Sequence, residues 1–319
     1  MFKNIFLLIF VVLFLFIQPI FPGKENGGNK QSSAKTYYYK DSHFQIYLKA
    51  RKFKKGEVMA LILKANPRSQ NFSPHLLRIK WSKKWYRLHK LGSQYISFLP
   101  ISPGIRPEKH ILELDYGTGD LSFHKEFKVP VEKQHYKRSS FKNKRKIARL
   151  KTPKKFNQGF SKKTLAFIRH CTELKNQAFR SKEKLHLEGD FKYPLKSTFI
   201  TSSYNAVRAY SSRNVKAHKG VDFRGKKGTP IYAIEAGKVV LSKKMFFEGV
   251  FTIIDHGGDV FSLYMHQSRT HVKKGQLIKR GQLIGRVGAT GRVTGPHLHL
   301  GLRVKGEMVN PLSLIALNF

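Results

Sequence analysis

The chain has 319 residues, of which 40% are hydrophobic and 13% aromatic; this is enough apolar material for packed cores in about two domains and excludes a disordered or low-complexity protein. Its 61 lysines and arginines against 19 acidic residues give a formal net charge of +42, an imbalance that repels itself and bears on the class of partner, not on the fold. Such a charge suits a polyanionic setting (nucleic acid, an anionic membrane surface or an acidic wall polymer) or reflects a general basic bias of the source proteome.

Residues 1–23 carry Lys3 and then an almost unbroken apolar run over residues 5–17, ended by Gln18, Pro19 and Pro22. This reads as a signal peptide or an N-terminal membrane anchor. At about 1.5 Å per residue, residues 5–21 lie near the lower limit for spanning a hydrocarbon core of roughly 30 Å, and Phe21 and Gly23 make a poor small-residue cleavage site, so both readings stay open. Residues 24–36 are a polar linker with glycine and serine, suited to a tether between membrane and domain. The expected location is exported, periplasmic or otherwise associated with the cell envelope.

Over residues 37–130 apolar residues alternate in short runs, for example Phe44, Ile46, Leu48 and Leu112, Leu114, Tyr116, broken by turns such as Asn66-Pro67 and Ser102-Pro103-Gly104. Period-two alternation in short segments predicts an antiparallel β-sandwich of immunoglobulin-like type. Trp81, Trp85 and the Tyr37-Tyr38-Tyr39 run fit core or sheet-face packing better than a ligand surface.

Residues 131–184 form a bridge. Its first part is rich in lysine and arginine, including Lys142, Lys144, Arg145 and Lys146, and either contacts anionic polymers or is a solvated linker. A helix is predicted over residues 161–179, with Leu165, Ile168, Cys171 and Leu174 on one face. Cys171 is the only cysteine, which excludes an intrachain disulfide, and as part of an apolar face it reads as a structural thiol.

Residues 185–319 read as a second, mainly antiparallel β domain of brief strands punctuated by glycine. It holds five groups of the kind that bind zinc: His218, Asp222, His266, His297 and His299. A catalytic zinc takes three protein ligands and keeps one position open, so the five exceed the need by two. Gly220 argues against a helix at His218-x-x-x-Asp222, whereas in a strand positions i and i+4 face one side. His297-Leu298-His299 is read likewise: two imidazoles on one face, with Leu298 turned into the core. His256 and His271 read as structural or surface residues.

These stretches resemble the lysostaphin/LytM-type zinc endopeptidases that cut peptidoglycan peptides. The similarity runs through His218-Lys219-Gly220-Val221-Asp222-Phe223, Gly228-Thr229-Pro230-Ile231-Tyr232-Ala233, Ile254-Asp255-His256-Gly257, Leu263-Tyr264-Met265-His266 and Thr294-Gly295-Pro296-His297-Leu298-His299. It covers a little over a third of the chain. It implies a mainly β LytM-type catalytic domain, one zinc per chain held by His218, Asp222 and His299, and His266 and His297 as catalytic residues, one accepting a proton and the other stabilising the oxyanion. Tyr204-Asn205 departs from the family's usual Phe-Gly. Peptidoglycan is the implied substrate, with the basic surface facing anionic envelope polymers. A catalytically silent LytM-like activator of another wall hydrolase is the alternative, disfavoured because the ligand set is complete. Nucleic acid is not expected as a partner, since no recognisable binding motif accompanies the charge.

Overall fold

Phe44, Ile46, Leu48 and Ala50 are buried, while Gln45, Tyr47 and Lys49 between them are half-exposed, so the period of two makes this segment a strand with one apolar face. The same rule builds most of the chain. A computed structural model describes residues 34–69, 72–118, 121–133, 148–149, 153–156, 159–209 and 215–319. The N-terminal apolar run, most of the polar linker and most of the basic stretch predicted as a bridge lie outside these residues. Among the described residues no helix is long and apolar enough to cross a membrane.

The first unit contains β1 (Lys35–Lys40), β2 (Phe44–Ala50), β3 (Val58–Ala65), β4 (Arg78–Trp81), β5 (Lys84–Arg87), β6 (His89–Leu91), β7 (Gln94–Pro100), β8 (Lys109–Thr118) and β9 (Leu121–Pro130). They pair into two antiparallel sheets, β1-β2-β3-β7-β6 and β5-β4-β8-β9. Phe44, Leu61, Leu63, Ile79 and Leu114 belong to the core shared by the two sheets. Trp81 is fully buried in that core and donates its Nε1–H to the Pro100 carbonyl at 3.0 Å. Trp85 is 52% exposed, with the cations of Arg78 and Lys80 over its ring.

β3 departs from simple alternation. Met59, Leu61 and Leu63 enter the first core, and Val58, Ala60 and Ile62 on its opposite face are buried too. This second set joins Ile96 and Phe98 of β7 in a cluster with Phe191, Leu300, Leu302 and Leu314. Each buried Val or Ile side chain is worth roughly 1.5–3 kcal/mol. The seam is also hydrogen-bonded: Asn310 donates its backbone N–H to Gly56 O at 2.8 Å and its side-chain amide to Glu57 at 3.0 Å.

Between the units lie β10 (Ala148–Arg149) and α1 (Lys162–Ala178). Ser161 caps α1, its Oγ accepting the Thr164 N–H at 3.2 Å. Cys171 is buried against a cluster that includes Leu241, Phe251 and Leu263, as a structural thiol should be, but Leu165 is 41% exposed, so the apolar face is narrower than the spacing by threes predicts.

The C-terminal unit comprises β11 (Ile200–Ser202), β12 (Val207–Ala209), β13 (Val215–Ala217), β14 (Val221–Arg224), β15 (Pro230–Tyr232), β16 (Gly237–Met245), β17 (Gly249–Asp255), β18 (Val260–Thr270), β19 (Leu277–Ile278), β20 (Leu283–Val287), β21 (His297–Val304), β22 (Glu307–Val309) and α2 (Leu312–Ile315). Its sheet runs β11-β14-β21-β18-β17-β16-β19, with β15, β20 and β22 joined off this path; β12 and β13 form a hairpin against which β10 lies parallel. On β21, Leu298, Leu300, Leu302 and Val304 are fully buried on one face. His297 and His299 are left on the other.

Two of the buried titratable groups, His256 and Glu235, lie outside the cluster of five. His256 is fully buried, donates from Nδ1 to Ala236 O at 2.6 Å and lies 2.7 Å from Ser262 Oγ through Nε2; burial lowers its pKa to about 4, so it is neutral and structural. His271 is on the surface. Glu235 is fully buried; its Oε1 accepts the backbone N–H groups of Glu188 at 3.0 Å and Ala236 at 2.8 Å, while Oε2 has no partner among the described residues. Burial pushes its pKa from 4.5 up to about 7. The folded chain therefore holds a proton that the unfolded chain releases between these values, and stability falls as pH rises through that window. Unfolding by urea at pH 5 and pH 8 is expected to show this decline, and Glu235→Gln to remove about 3 kcal/mol of it. An unaltered pH slope in Glu235→Gln would rule the group out as its source.

Candidate active site

β14 pairs antiparallel with β21 so that Asp222 stands opposite His299. Directly opposed residues share a sheet face, which brings this carboxylate and imidazole together. The expectation that His218 and Asp222 ride one strand is corrected: β13 ends at Ala217 and β14 begins at Val221, so His218 projects from the turn between them. Gly220 makes that turn possible, since a Cβ there would lie 2.4 Å from Leu300 O and 2.5 Å from His299 Nε2. The turn is braced by Asn205 N–H donating to His218 O at 2.7 Å and His218 N–H donating to Ala206 O at 2.9 Å. Asn205 has φ +63°, a left-handed conformation that asparagine tolerates better than most residues, so the departure from Phe-Gly keeps the backbone that glycine would provide.

The result is a triangle of donor atoms. His218 Nε2 lies 2.8 Å from His299 Nδ1 and 3.0 Å from Asp222 Oδ1, and His299 Nδ1 lies 2.9 Å from Asp222 Oδ1. All three residues are buried, and among the described residues they are the group able to hold a metal ion. A tetrahedral zinc with bonds of about 2.0–2.1 Å spaces its ligands by about 3.3 Å, so the triangle fits such an ion with a few tenths of an ångström of opening.

Outer partners orient these donors. Ser203 O lies 2.9 Å from His218 Nδ1, which fixes the proton there and leaves Nε2 free to ligate. Arg208 on β12 donates to the second oxygen of Asp222 and, at 2.7 Å, to Ser202 Oγ. Burial opposes charge on Asp222, but its close contacts with His218 and His299 outweigh it and hold the carboxyl well below the usual carboxylate range. Arg208 escaped the sequence reading: it sits in a stretch read as a loop, and no spacing ties it to Asp222.

His266 and His297 stand beside the triangle, with ring centroids 5.1 Å apart and the His266 ring 6.0 Å from that of His299. His266 Nδ1 donates to Thr290 O and His297 Nδ1 to Gly295 O, both at 2.9 Å, so each ring keeps Nε2 unprotonated and available. His266 also has φ +66°, an unusual backbone for a non-glycine residue, clamped by its N–H donating to Glu248 O at 2.9 Å. Burial lowers the pKa of His297 and His299 and takes His266 well below the ordinary imidazole value. The arrangement sets three donors able to hold a metal ion beside two imidazoles with free Nε2 atoms.

Residues 216–311 match Peptidase family M23. Over 123 residues, 38% of this chain and 29% of the relative, the chain is 42% identical to peptidoglycan DD-endopeptidase ShyA of Vibrio cholerae. Over 124 residues, 38% of this chain and 29% of the relative, it is 39% identical to peptidoglycan DD-endopeptidase ShyB of the same organism. The matched stretch thus spans less than a third of either curated relative. A crystal structure from Pseudomonas aeruginosa, provisionally assigned to peptidase M23, aligns with TM-score 0.56 at 25% identity, covering 83% of this chain and 96% of that one.

Proposed function

We propose, from the premise that residues 216–311 form a domain of peptidase family M23, that this chain is a zinc metalloendopeptidase hydrolysing peptide bonds in peptidoglycan. The observation that carries the reading is the convergence of His218 Nε2, Asp222 Oδ1 and His299 Nδ1 within 2.8–3.0 Å of one another, next to two histidines with free Nε2 atoms. A zinc held by His218, Asp222 and His299 would supply Lewis acidity, lowering the pKa of a bound water toward about 7 and polarising a carbonyl. His218 and His299 serve as neutral imidazole ligands. Arg208 occupies one oxygen of Asp222, leaving the other for the metal. Of His266 and His297, one takes the proton of the attacking water at its free Nε2, and the imidazolium N–H so formed and the neighbouring ring face the negative charge developing on the carbonyl oxygen.

The named activity of ShyA and ShyB supports a peptidoglycan substrate. A complete five-residue set supports an enzyme over a silent activator. The net charge of +42 supports work among anionic envelope polymers, and the apolar run over residues 5–17 supports export, with cleavage or retention as an anchor to follow. The strand orders β2-β3-β7-β6 and β5-β4-β8-β9, with buried Trp81 on β4, support an immunoglobulin-like reading of residues 37–130.

The test is mass spectrometry of fragments released from purified sacculi by the zinc-loaded chain. Products severed at peptide bonds, lost on chelation, are expected; release of glycan fragments alone, or of nothing, would overturn the reading.

A further inference from the structure

The site holds two arginines with different surroundings. Arg208 is engaged by Asp222 and Ser202. Arg224 is not engaged. Its position follows from the strand register: Arg224 stands opposite His297, two rows along from Asp222 opposite His299. Opposed residues share a face, so Arg224 lies on the face of the metal triangle, while Phe223 and Leu298 in the intervening row are fully buried on the other.

Arg224 is exposed, and its guanidinium carbon lies 4.0 Å from the centroid of the Phe199 ring. The same two residues are joined through the backbone, Arg224 N–H donating to Phe199 O at 2.9 Å. Phe199 is itself 52% exposed, so the ring is an open platform beneath the cation rather than core. Among the described residues no carboxylate pairs with Arg224. Stacking occupies the flat face of a guanidinium and leaves its edge donors free. A cation thus oriented, beside a histidine with a free Nε2, is built to receive an anion brought by the substrate.

We propose that Arg224 determines specificity by taking a carboxylate of the substrate peptide on the His297 side of the scissile bond, with Phe199 holding the guanidinium in place. A planar guanidinium and a carboxylate form a two-point, charge-assisted pair, which accounts for a fixed arginine here where a lysine would give only a point charge. Peptidoglycan cross-links carry free carboxylates at peptide termini and on their diamino acid, and either could be the partner. This inference rests on the hydrolase reading above.

The test uses cross-linked stem-peptide dimers in three forms: all carboxylates free, the terminal carboxylate amidated, and the diamino-acid carboxylate amidated. With the zinc-loaded chain, Arg224→Ala is expected to raise KM for the free dimer about 10- to 100-fold with kcat changed far less, the usual range for losing a charge-assisted hydrogen bond. Arg224→Lys should recover part of the loss. One amidated dimer should be handled by the wild type as poorly as the free dimer is by Arg224→Ala, and its identity names the carboxylate. Equal losses on all three dimers, or a fall in kcat alone, would overturn the proposal.

Binding by fluorescence polarisation, with labelled dimers and the His266→Ala chain, separates this inference from the function it rests on. A preference for the free dimer that disappears when Arg224→Ala is added supports the carboxylate site even if no dimer is ever cut. Cleavage with no such preference leaves the hydrolase reading standing and ends this one.

Discussion

Substituting His299 by alanine will cost the chain its metal. Wild-type protein should carry about one zinc, and His299→Ala should lower zinc affinity by well over the 10- to 100-fold typical of losing an outer partner of a metal ligand, because one of only three protein donors is gone. Among the described residues His218, Asp222 and His299 are the metal-competent group, so the variant keeps two of its three donors. The fold should survive, since Leu298 and Leu300 on either side stay fully buried on the opposite face of β21. The measurement is elemental analysis with competition against a chromophoric chelator, alongside far-ultraviolet circular dichroism. Full zinc retention in a folded His299→Ala chain would sink the ligand assignment.

The second large effect separates metal binding from chemistry. His297→Ala should retain zinc yet lose about 10²- to 10⁴-fold in kcat, the range for removing a positioned proton-transfer group. His297 Nε2 is 3.7 Å from Asp222 Oδ2, beyond hydrogen-bonding distance, so the ligand set does not depend on it. Its Nδ1 is tied to Gly295 O, which presents the opposite nitrogen to the reaction. Undiminished release of peptides from sacculi by His297→Ala would remove it from the mechanism.

How much of this could be read from the residues alone depended on the range of the interaction. His297-Leu298-His299 was legible because a strand's alternation is local: Leu298 is fully buried and both histidines face the site. The helix at Lys162–Ala178 with buried Cys171 was legible for the same reason, through its own periodicity and the Ser161 cap. His218 and Asp222 were paired correctly by proximity but given the wrong geometry, because the turn that joins them exists only by virtue of Leu300 and His299 across the sheet from Gly220. Arg208 was invisible. Its strand is three residues long, and its partner lies 14 residues away through a turn. In β3, Val58-Met59-Ala60-Leu61-Ile62-Leu63 breaks the alternation expected over residues 37–130, and an unbroken apolar run is what a strand buried on both sides produces.

That doubly buried strand has a mechanical meaning. A tether lets two bodies swing; a strand whose side chains are packed into both of them acts as a weld. With Met59, Leu61 and Leu63 on one side and Val58, Ala60 and Ile62 on the other, β3 cannot tilt without opening a cavity in one core or the other. The outer sheet β5-β4-β8-β9 is therefore carried at a set angle to the histidines of β21, and whatever that sheet touches in its surroundings is held in a fixed orientation to the His218-Asp222-His299 triangle.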